Sequence, residues 1–385
     1  MRSSTERVPL VTIAREWARI GSVGFGGPAT QIALLRRLCV EDHVWLSEAE
    51  FEDGVAAVNL LPGPAATQLA IFCAWRLRGL RGGVVGGLCL IVPGLTLILA
   101  LAILFLQSHP PLWIEGAAAG SGGAVSAVAV QAARSLLPAS WRRADLAGGS
   151  HIRWCAYLGS GAAAAATIGP WLVLVLLSCG LVEVLVRVRP SLDRSMAVLA
   201  GVATPSLGGL AALSWVSFKV GALAYGGGFV IVPLMQHDAV DTYHWMTAPQ
   251  FLNAVALGQV TPGPVLQTVA VVGYAAAGVG GGLLAASIAF APSFVFVLVG
   301  GPRFNRFRDN LLVTAFLNGA GPAAIGGIAG ASIPLALALS HPWQAVVLAG
   351  AACWLLLLRR GVLSAIVGAG VVGVVAALFG APVGV

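Results

Sequence analysis

The tripeptide Pro62-Gly63-Pro64 returns as Pro262-Gly263-Pro264, so the chain has to fold as one unit written twice. At the shift of 200 residues between the copies, Gly26-Gly27 meets Gly226-Gly227, Leu34 meets Leu234, Val40 meets Val240, Trp45 meets Trp245, Phe51 meets Phe251 and Arg19 meets Lys219. A tryptophan in register is not an effect of composition. Glycine-proline breaks inside apolar segments, at corresponding positions of two halves, point to the binding region of a secondary transporter.

Composition says which solvent those segments meet. With 385 residues, 58% hydrophobic and only 10% charged, and a mean hydropathy of +0.90, the chain is excluded from the soluble globular class and reads as an integral membrane protein. Met1 to Pro9 carries Arg2 and Arg7 but no short apolar core followed by a small-residue cleavage site, so no cleaved signal peptide is expected. The six cysteines are scattered without CxxC spacing, which implies neither a metal site nor a disulfide frame, and no cofactor is expected. The net charge of +7 resides in short arginine clusters beside apolar runs, the pattern of cytoplasmic loops, and lacks the basic face with interleaved aromatics that nucleic acid requires. A membrane reductase would need a redox constellation that these Cys and His residues do not form. No G-x-x-x-x-G-K-[ST] motif is present, so ATP hydrolysis is not the expected energy source.

Apolar runs near 83–106, 112–136, 170–186, 283–300, 311–335, 343–358 and 361–383 approach the roughly 17 to 25 residues a helix needs to cross a bilayer, and 154–168 and 196–213 are shorter or broken spans. The clusters Arg76/Arg78/Arg81, Arg134 to Arg153, Arg187 to Arg194, Arg303 to Arg308 and Arg359/Arg360 face the cytoplasm by the positive-inside rule. Gly79 to Gly83 is flanked by arginine, whereas its counterpart Gly278 to Gly282 is uncharged, and Arg303 to Arg308 corresponds to the uncharged His109-Pro110-Pro111. Equivalent loops therefore read as lying on opposite sides. The expected fold is an all-α integral membrane protein of two inverted-topology repeats, 10–190 and 214–385, joined by a linking transmembrane segment at 191–213. About nine full spans are accompanied by four re-entrant hairpins. In the first half Ala14 to Val23 enters, turns at Phe25 to Pro28 and returns by Leu35. Val55 to Leu61 then enters, turns at Pro62-Gly63-Pro64 and returns by Trp75. Such breaks are tolerated at membrane depth only when packed in protein or lining a watery cavity.

A helix that restarts after a break presents free N–H groups and about half a positive charge, which attracts anions. Pro28, Pro64 and Pro264 are expected in the first turn of such restarts, with Gly228 in the fourth, and Gly26, Gly27, Gly63, Gly226, Gly227 and Gly263 allow close backbone approach. Pro62 and Pro262 open the two tripeptides. The competing reading is that Gly and Pro merely kink transmembrane helices. Neutral polar residues surround the breaks: Thr30, Gln31, Asn59, Thr67 and Gln68, then Tyr225, Asn253, Gln259, Thr261, Gln267 and Thr268. They suit an oxyanion, or tie helices together at about 0.6 to 2 kcal/mol each. Lys219, the chain's single lysine, interrupts an apolar segment and marks a functional site by default, while Arg19 near Arg15 either balances substrate charge or snorkels to the interface. Most acidic residues of 41–53, with Asp238 and Asp241, read as a solvated face; Asp53 is the candidate proton carrier.

Phe25-Gly26-Gly27-Pro28 with Gln31-Ile32, Trp45 and Asn59-Leu60-Leu61-Pro62-Gly63-Pro64, then Tyr225-Gly226-Gly227-Gly228, Trp245, Gly258 to Pro264 and Gly273-Tyr274, closely resemble the chromate ion transporter family over most of both halves. The resemblance implies a multi-pass secondary transporter of the bacterial cytoplasmic (inner) membrane, with two homologous domains of opposite topology, that exports chromate. Ala65 stands where related sequences often carry an acidic or polar residue, and Gln31 where others have His, so neither can titrate here. Expected partners are chromate or a sulfate-like oxyanion, a coupled proton, the lipid bilayer and at most a second copy in a homodimer. A passive anion channel and a carrier of sulfate or another oxyanion are the alternatives.

Overall fold

The computed structural model describes residues 8–25, 27–58, 61–107, 110–146, 150–167, 172–187, 208–224, 231–300 and 310–383. Among them are fourteen α-helices and no strand. The first half contains α1 (Leu10–Val23), α2 (Pro28–Arg36), α3 (Glu48–Val58), α4 (Ala65–Phe105), α5 (Leu112–Leu146), α6 (His151–Thr167) and α7 (Leu172–Arg187). The second contains α8 (Gly209–Leu223), α9 (Ile231–Gln236), α10 (Ala248–Val260), α11 (Thr268–Gly300), α12 (Leu311–Leu337), α13 (Pro342–Ala352) and α14 (Val362–Leu378). Residues 191–207 of the expected linking segment lie outside the described residues, and 209–213 open α8.

The duplication extends to single backbone angles. A π-helical turn prolongs α2 over Arg37–Asp42 and α9 over His237–Thr242, and Val44 and His244 just beyond take positive φ of 51° and 50°. The helices that follow open with the same device: Ser47 exchanges hydrogen bonds with Glu50, and Thr247 with Gln250, forming capping boxes that satisfy otherwise orphaned donors. After Pro-Gly-Pro the register drops by one residue. The first half enters α4 directly, whereas the second passes through a 3₁₀ turn, Val265–Gln267, whose tighter winding takes up the missing residue.

Neither α4 nor α11 is one continuous rod. Arg78 and Gly79 (φ 62°, ψ −154°) break α4, and Ala277 and Gly278 (φ 64°, ψ −159°) break α11 at the equivalent place. Each chain folds back on itself there: the Gly83 and Gly87 positions lie against Ile71, and Gly281 against Gly273. The short arm returns from the Pro-Gly-Pro tip, and the long arm, 80–105 or 279–300, is a separate apolar helix. The α4 helix, the Val265–Gly300 stretch and α12 are long and apolar enough to cross a membrane.

On the long arm of α4 the glycines Gly82, Gly83, Gly86, Gly87 and Gly94 are buried, while Leu80, Val84, Leu88 and Val92 are exposed. This inverts the soluble pattern, and is how helices pack in lipid: small residues let backbones approach, and the apolar face meets acyl chains. A Cβ on Gly21 would stand 2.3 Å from the Leu90 carbonyl oxygen, and one on Gly221 would stand 2.0 Å from that of Ala289. The crossings α1/α4 and α8/α11 are thus the same crossing made twice. Gly221→Val is expected to cost about 1–3 kcal/mol through overpacking, read as a lowered melting temperature. Gly280→Ala, in open space, should leave the melting temperature undiminished.

The halves are interleaved. Leu298 lies against Gly83, Phe294 against Gly87 and Leu99 against Gly282, so residue numbers fall along one long arm as they rise along the other, and the equivalent arms run antiparallel. The α5 helix packs on α13 and α14 of the second half, while its counterpart α12 packs on α6 and α7 of the first. Glycine contacts tighten both: Gly116 and Gly120 against Gly373, and Gly161 and Gly326 against Ala323 and Leu158. Ser126 Oγ donates to Ser332 O (2.7 Å) and Gln344 Nε2 to Ala119 O (2.9 Å). Within the first-half helices, buried Glu183 of α7 is held by Arg153 (3.0 Å), Arg187 (2.5 Å) and the Tyr157 hydroxyl (3.0 Å).

Candidate functional site

Two junctions arise where the tip of one half meets the broken helix of the other. Gly63 N–H donates to the carbonyl of Ala224, at the C-terminus of α8, at 2.5 Å. Gly263 N–H donates to the carbonyl of Gly24, at the C-terminus of α1, at 3.4 Å. The two bonds are reciprocal: each joins the Pro-Gly-Pro tip of one half to the end of the other half's first helix. Gly63 and Gly263 adopt φ of 126° and 125°, a region that suits glycine, and Gly27 before α2 has φ 82°.

Each tip is furnished with a glutamine. Gln68 Nε2 donates to Pro62 O at 2.6 Å, and Gln267 Nε2 to Ile91 O at 3.0 Å. These carbonyls are not equivalent, but Gln68 lies against Gly63 as Gln267 lies against Gly263, so the equivalence is Gln68 with Gln267, not Gln68 with Thr268 as the 200-residue register implies. Around Gly63 stand Gln68 and Ser293, whose hydroxyl lies 3.0 Å from where a Cβ on Gly63 would be. Around Gly263 stand Gln267, Gln31 beside Gly24, and Gly94, the counterpart of Ser293. Gln31, Thr67, Gln68, Gln267 and Ser293 are all fully buried. Among the described residues, Gln31 Nε2 and Oε1, Thr67 Oγ1, Gln68 Oε1, Gln267 Oε1 and Ser293 Oγ find no hydrogen-bond partner. Buried polar atoms are nearly always paired, so this set of unpartnered groups is exceptional for a packed interior.

The remaining candidates divide. Pro28 is the first residue of α2, but Pro64 (φ −71°, ψ 104°) and Pro264 (φ −73°, ψ 139°) are extended N-caps, one residue before the helix rather than in its first turn. A proline suits that place because its fixed φ is compatible and the N–H it lacks is not needed there. Thr261 and Thr268 donate within their own segments, to Leu257 O (2.9 Å) and Val265 O (2.8 Å). Gln259 Nε2 is buried without a partner among the described residues. Pro62 and Pro262 contribute carbonyls, Pro62 O to Gln68 and Pro262 O against Gly94. Gly26, Asn59, Tyr225, Gly226, Gly227 and Gly228 lie outside the described residues.

The cations are already engaged. Lys219 Nζ lies 2.5 Å from Asp238 Oδ2; the aspartate is buried and the lysine partly so. Asp238 is thus not part of a solvated face; it sits in the π-helical turn after α9 and turns inward to α8. Arg19 is largely exposed and stands 3.7 Å from Glu16. Asp53 is exposed on α3. Outside the membrane segments, hydrogen bonds from Ser47 and the Arg76 guanidinium hold the Glu50 carboxyl below its ordinary range, tying α3 to the α4 turn. Ser293, Gln267 and Thr67 complete the buried set; the proline in register before Gly94 and Ser293 (Pro93, Pro292) is the sequence signal for the first.

The sequence profile described as chromate transporter matches residues 11–206 and 211–374, nearly the whole chain. The chain belongs to the chromate transporter family. It is 33% identical over 331 residues to a chromate transport protein of Cupriavidus metallidurans, covering 83% of this chain and 80% of the relative. A probable chromate transport protein of Synechococcus elongatus is 29% identical over 338 residues (85% and 84%), and a chromate transport protein of Pseudomonas aeruginosa 29% over 367 residues (87% and 84%). No solved structure matches. With its apolar helices and this membership, the chain is a membrane protein of a transporter family.

Proposed function

We propose that this protein is a secondary transporter that exports chromate across the bacterial cytoplasmic membrane, binding the anion at the helix restarts of the two junctions. The observation that carries the reading is the reciprocal pair of bonds, Gly63 to Ala224 and Gly263 to Gly24, set among orphaned buried polar groups in a chain of this family. The free N–H groups at the start of α2 and α4 and in the turn after Pro264, together with Gln31, Thr67 and Ser293, supply donors without any charged side chain at the tips. The repeats are of inverted topology in this reading. Support comes from the antiparallel packing of equivalent long arms, which puts their two-fold axis across the helices, and from arginine at one kink and none at the other.

Broken helices whose halves exchange contacts suit alternating access, one half rocking against the other about a fixed site. The inside-negative potential favours anion export by about 2.3 kcal/mol per charge per 100 mV. Lys219, held by Asp238, positions α8 beside the site, and Arg19 and Asp53 are the charge-balancing and proton-carrying candidates at the periphery. In inside-out vesicles made with the protein, an imposed interior-positive potential should drive chromate uptake, and vesicles preloaded with unlabelled chromate should show transient counterflow of labelled chromate. Uptake without counterflow would make it a channel, and indifference to chromate with uptake of sulfate would change the substrate.

A further inference from the structure

The kinks of α4 and α11 are an internal comparison. Arg78-Gly79 and Ala277-Gly278 take nearly the same backbone angles, and the long arm closes on each in the same way. A Cβ on Gly82 would stand 2.6 Å from that of Arg78, and one on Gly281 would stand 2.7 Å from that of Ala277. The side chains around the two turns differ. Where the first kink carries Arg76, Arg78 and Arg81, the second has Ala275, Ala277 and Gly280. The arginines are therefore not needed to make the turn. Arg76 is taken up by Glu50, whereas Arg78 and Arg81 have no hydrogen bond or ion pair among the described residues.

A cavity of about 380 Å³ lies at the first kink, lined by Trp75, Arg76, Leu77, Arg78 and Gly79. That volume is in the range of small-molecule sites. Directly after Gly79 an apolar stripe begins: Leu80, Val84, Leu88 and Val92, all exposed, recur every fourth residue and so share one face of the long arm for about 18 Å. Trp75 is matched by Tyr274 at the other kink, and both are ring types that settle at headgroup depth. Sidedness alone asks only for basic residues in a loop, and requires neither a cavity nor an apolar track leading from it.

We propose that this cavity binds the headgroup of an anionic phospholipid, with Arg78 and Arg81 holding the phosphodiester, Trp75 and Leu77 against the glycerol backbone, and an acyl chain along Leu80, Val84, Leu88 and Val92. Basic pockets at the membrane surface take such headgroups. The lipid completes the first kink, while the uncharged second kink has no call for one. The inference does not depend on which ion the protein carries.

The test is a thermal-shift titration of the full-length protein in detergent with short-chain phosphatidylglycerol, with phosphatidylcholine of the same chain length, and with inorganic phosphate. Phosphatidylglycerol should raise the melting temperature, and the other two should not. Arg78→Gln/Arg81→Gln should raise the half-saturating phosphatidylglycerol concentration by about tenfold or more, with the melting temperature in phosphatidylcholine unchanged. Arg359→Gln/Arg360→Gln, which removes another exposed basic pair, should leave the titration as in the wild type. Brominated phosphatidylglycerol should also quench more tryptophan fluorescence than brominated phosphatidylcholine, and Trp75→Phe should abolish the difference; this readout decides the matter even if the arginine variant fails to fold. Stabilisation by inorganic phosphate equal to that by the lipid would make the cavity a site for a free anion and overturn the lipid assignment. Equal responses to the two lipids, or equal losses from the two arginine pairs, would reduce the effect to general surface attraction and overturn the proposal.

Discussion

Replacing Lys219 by Met is expected to destabilise the protein by about 3–5 kcal/mol, the cost of leaving a buried partner charge uncompensated. The partner is Asp238, 2.5 Å away and 5% exposed, with no second cation paired to it among the described residues. Asp238→Leu alone should do the same in the opposite sense, stranding the ammonium. The double variant Lys219→Met/Asp238→Leu should recover most of the melting temperature, because a buried ion pair replaced by apolar side chains of similar size is often neutral or stabilising. The same double variant decides what the lysine is for. Chromate flux near the wild-type level would make Lys219 a positioning residue that docks the π-helical turn on α8; lost flux at a restored melting temperature would make its charge part of the transport step.

The second large effect belongs to the tips. Gly63→Ala and Gly263→Ala should each lower chromate flux by more than tenfold. At φ near +125° a Cβ is strained by about 1–3 kcal/mol whatever surrounds it. Here it would also stand 2.3 Å from Gln68 Nε2, or 2.8 Å from Gln267 Oε1, and push the tip off the Ala224 or Gly24 carbonyl. Gly79→Ala and Gly278→Ala supply the control, since both glycines have positive φ but open space around the position a Cβ would take. They should lose stability by the strain alone while retaining far more flux. Equal losses at all four glycines would mean that the tips matter only as turns.

Much of this could be read from residues alone. The Pro-Gly-Pro pair, the tryptophans and the glycine breaks located the duplication, the helix interruptions and the family before any coordinate was needed. What sequence could not supply was registration at the scale of one residue. Thr67-Gln68 and Gln267-Thr268 look alike in composition, and only the 3₁₀ turn after Pro264 and the seating of Gln68 on Gly63 and Gln267 on Gly263 show that the glutamines are the equivalent pair. Asp238 looked solvated because it keeps the company of His237 and Asp241, but a π-helical turn changes the angular spacing and sends it inward toward Lys219. Ser293 was hidden because its counterpart is Gly94, so no polar repeat flags it. The interleaving of α5 with α13 and α14 was equally illegible, since charge patterns fix the side of the membrane a loop occupies and say nothing of which helices are neighbours.

The claim on which the rest depends is that the two halves approach the site from opposite faces of the membrane. Leu80 and Val279 are equivalent residues just after the two kinks, both exposed, one beside arginines and the other in an uncharged turn. In a background with the six native cysteines replaced, Leu80→Cys and Val279→Cys should be labelled by a membrane-impermeant thiol reagent from opposite sides, Leu80→Cys from the cytoplasm and Val279→Cys from outside. Labelling of both positions from the same side would contradict the inverted arrangement and, with it, the site built at the two junctions.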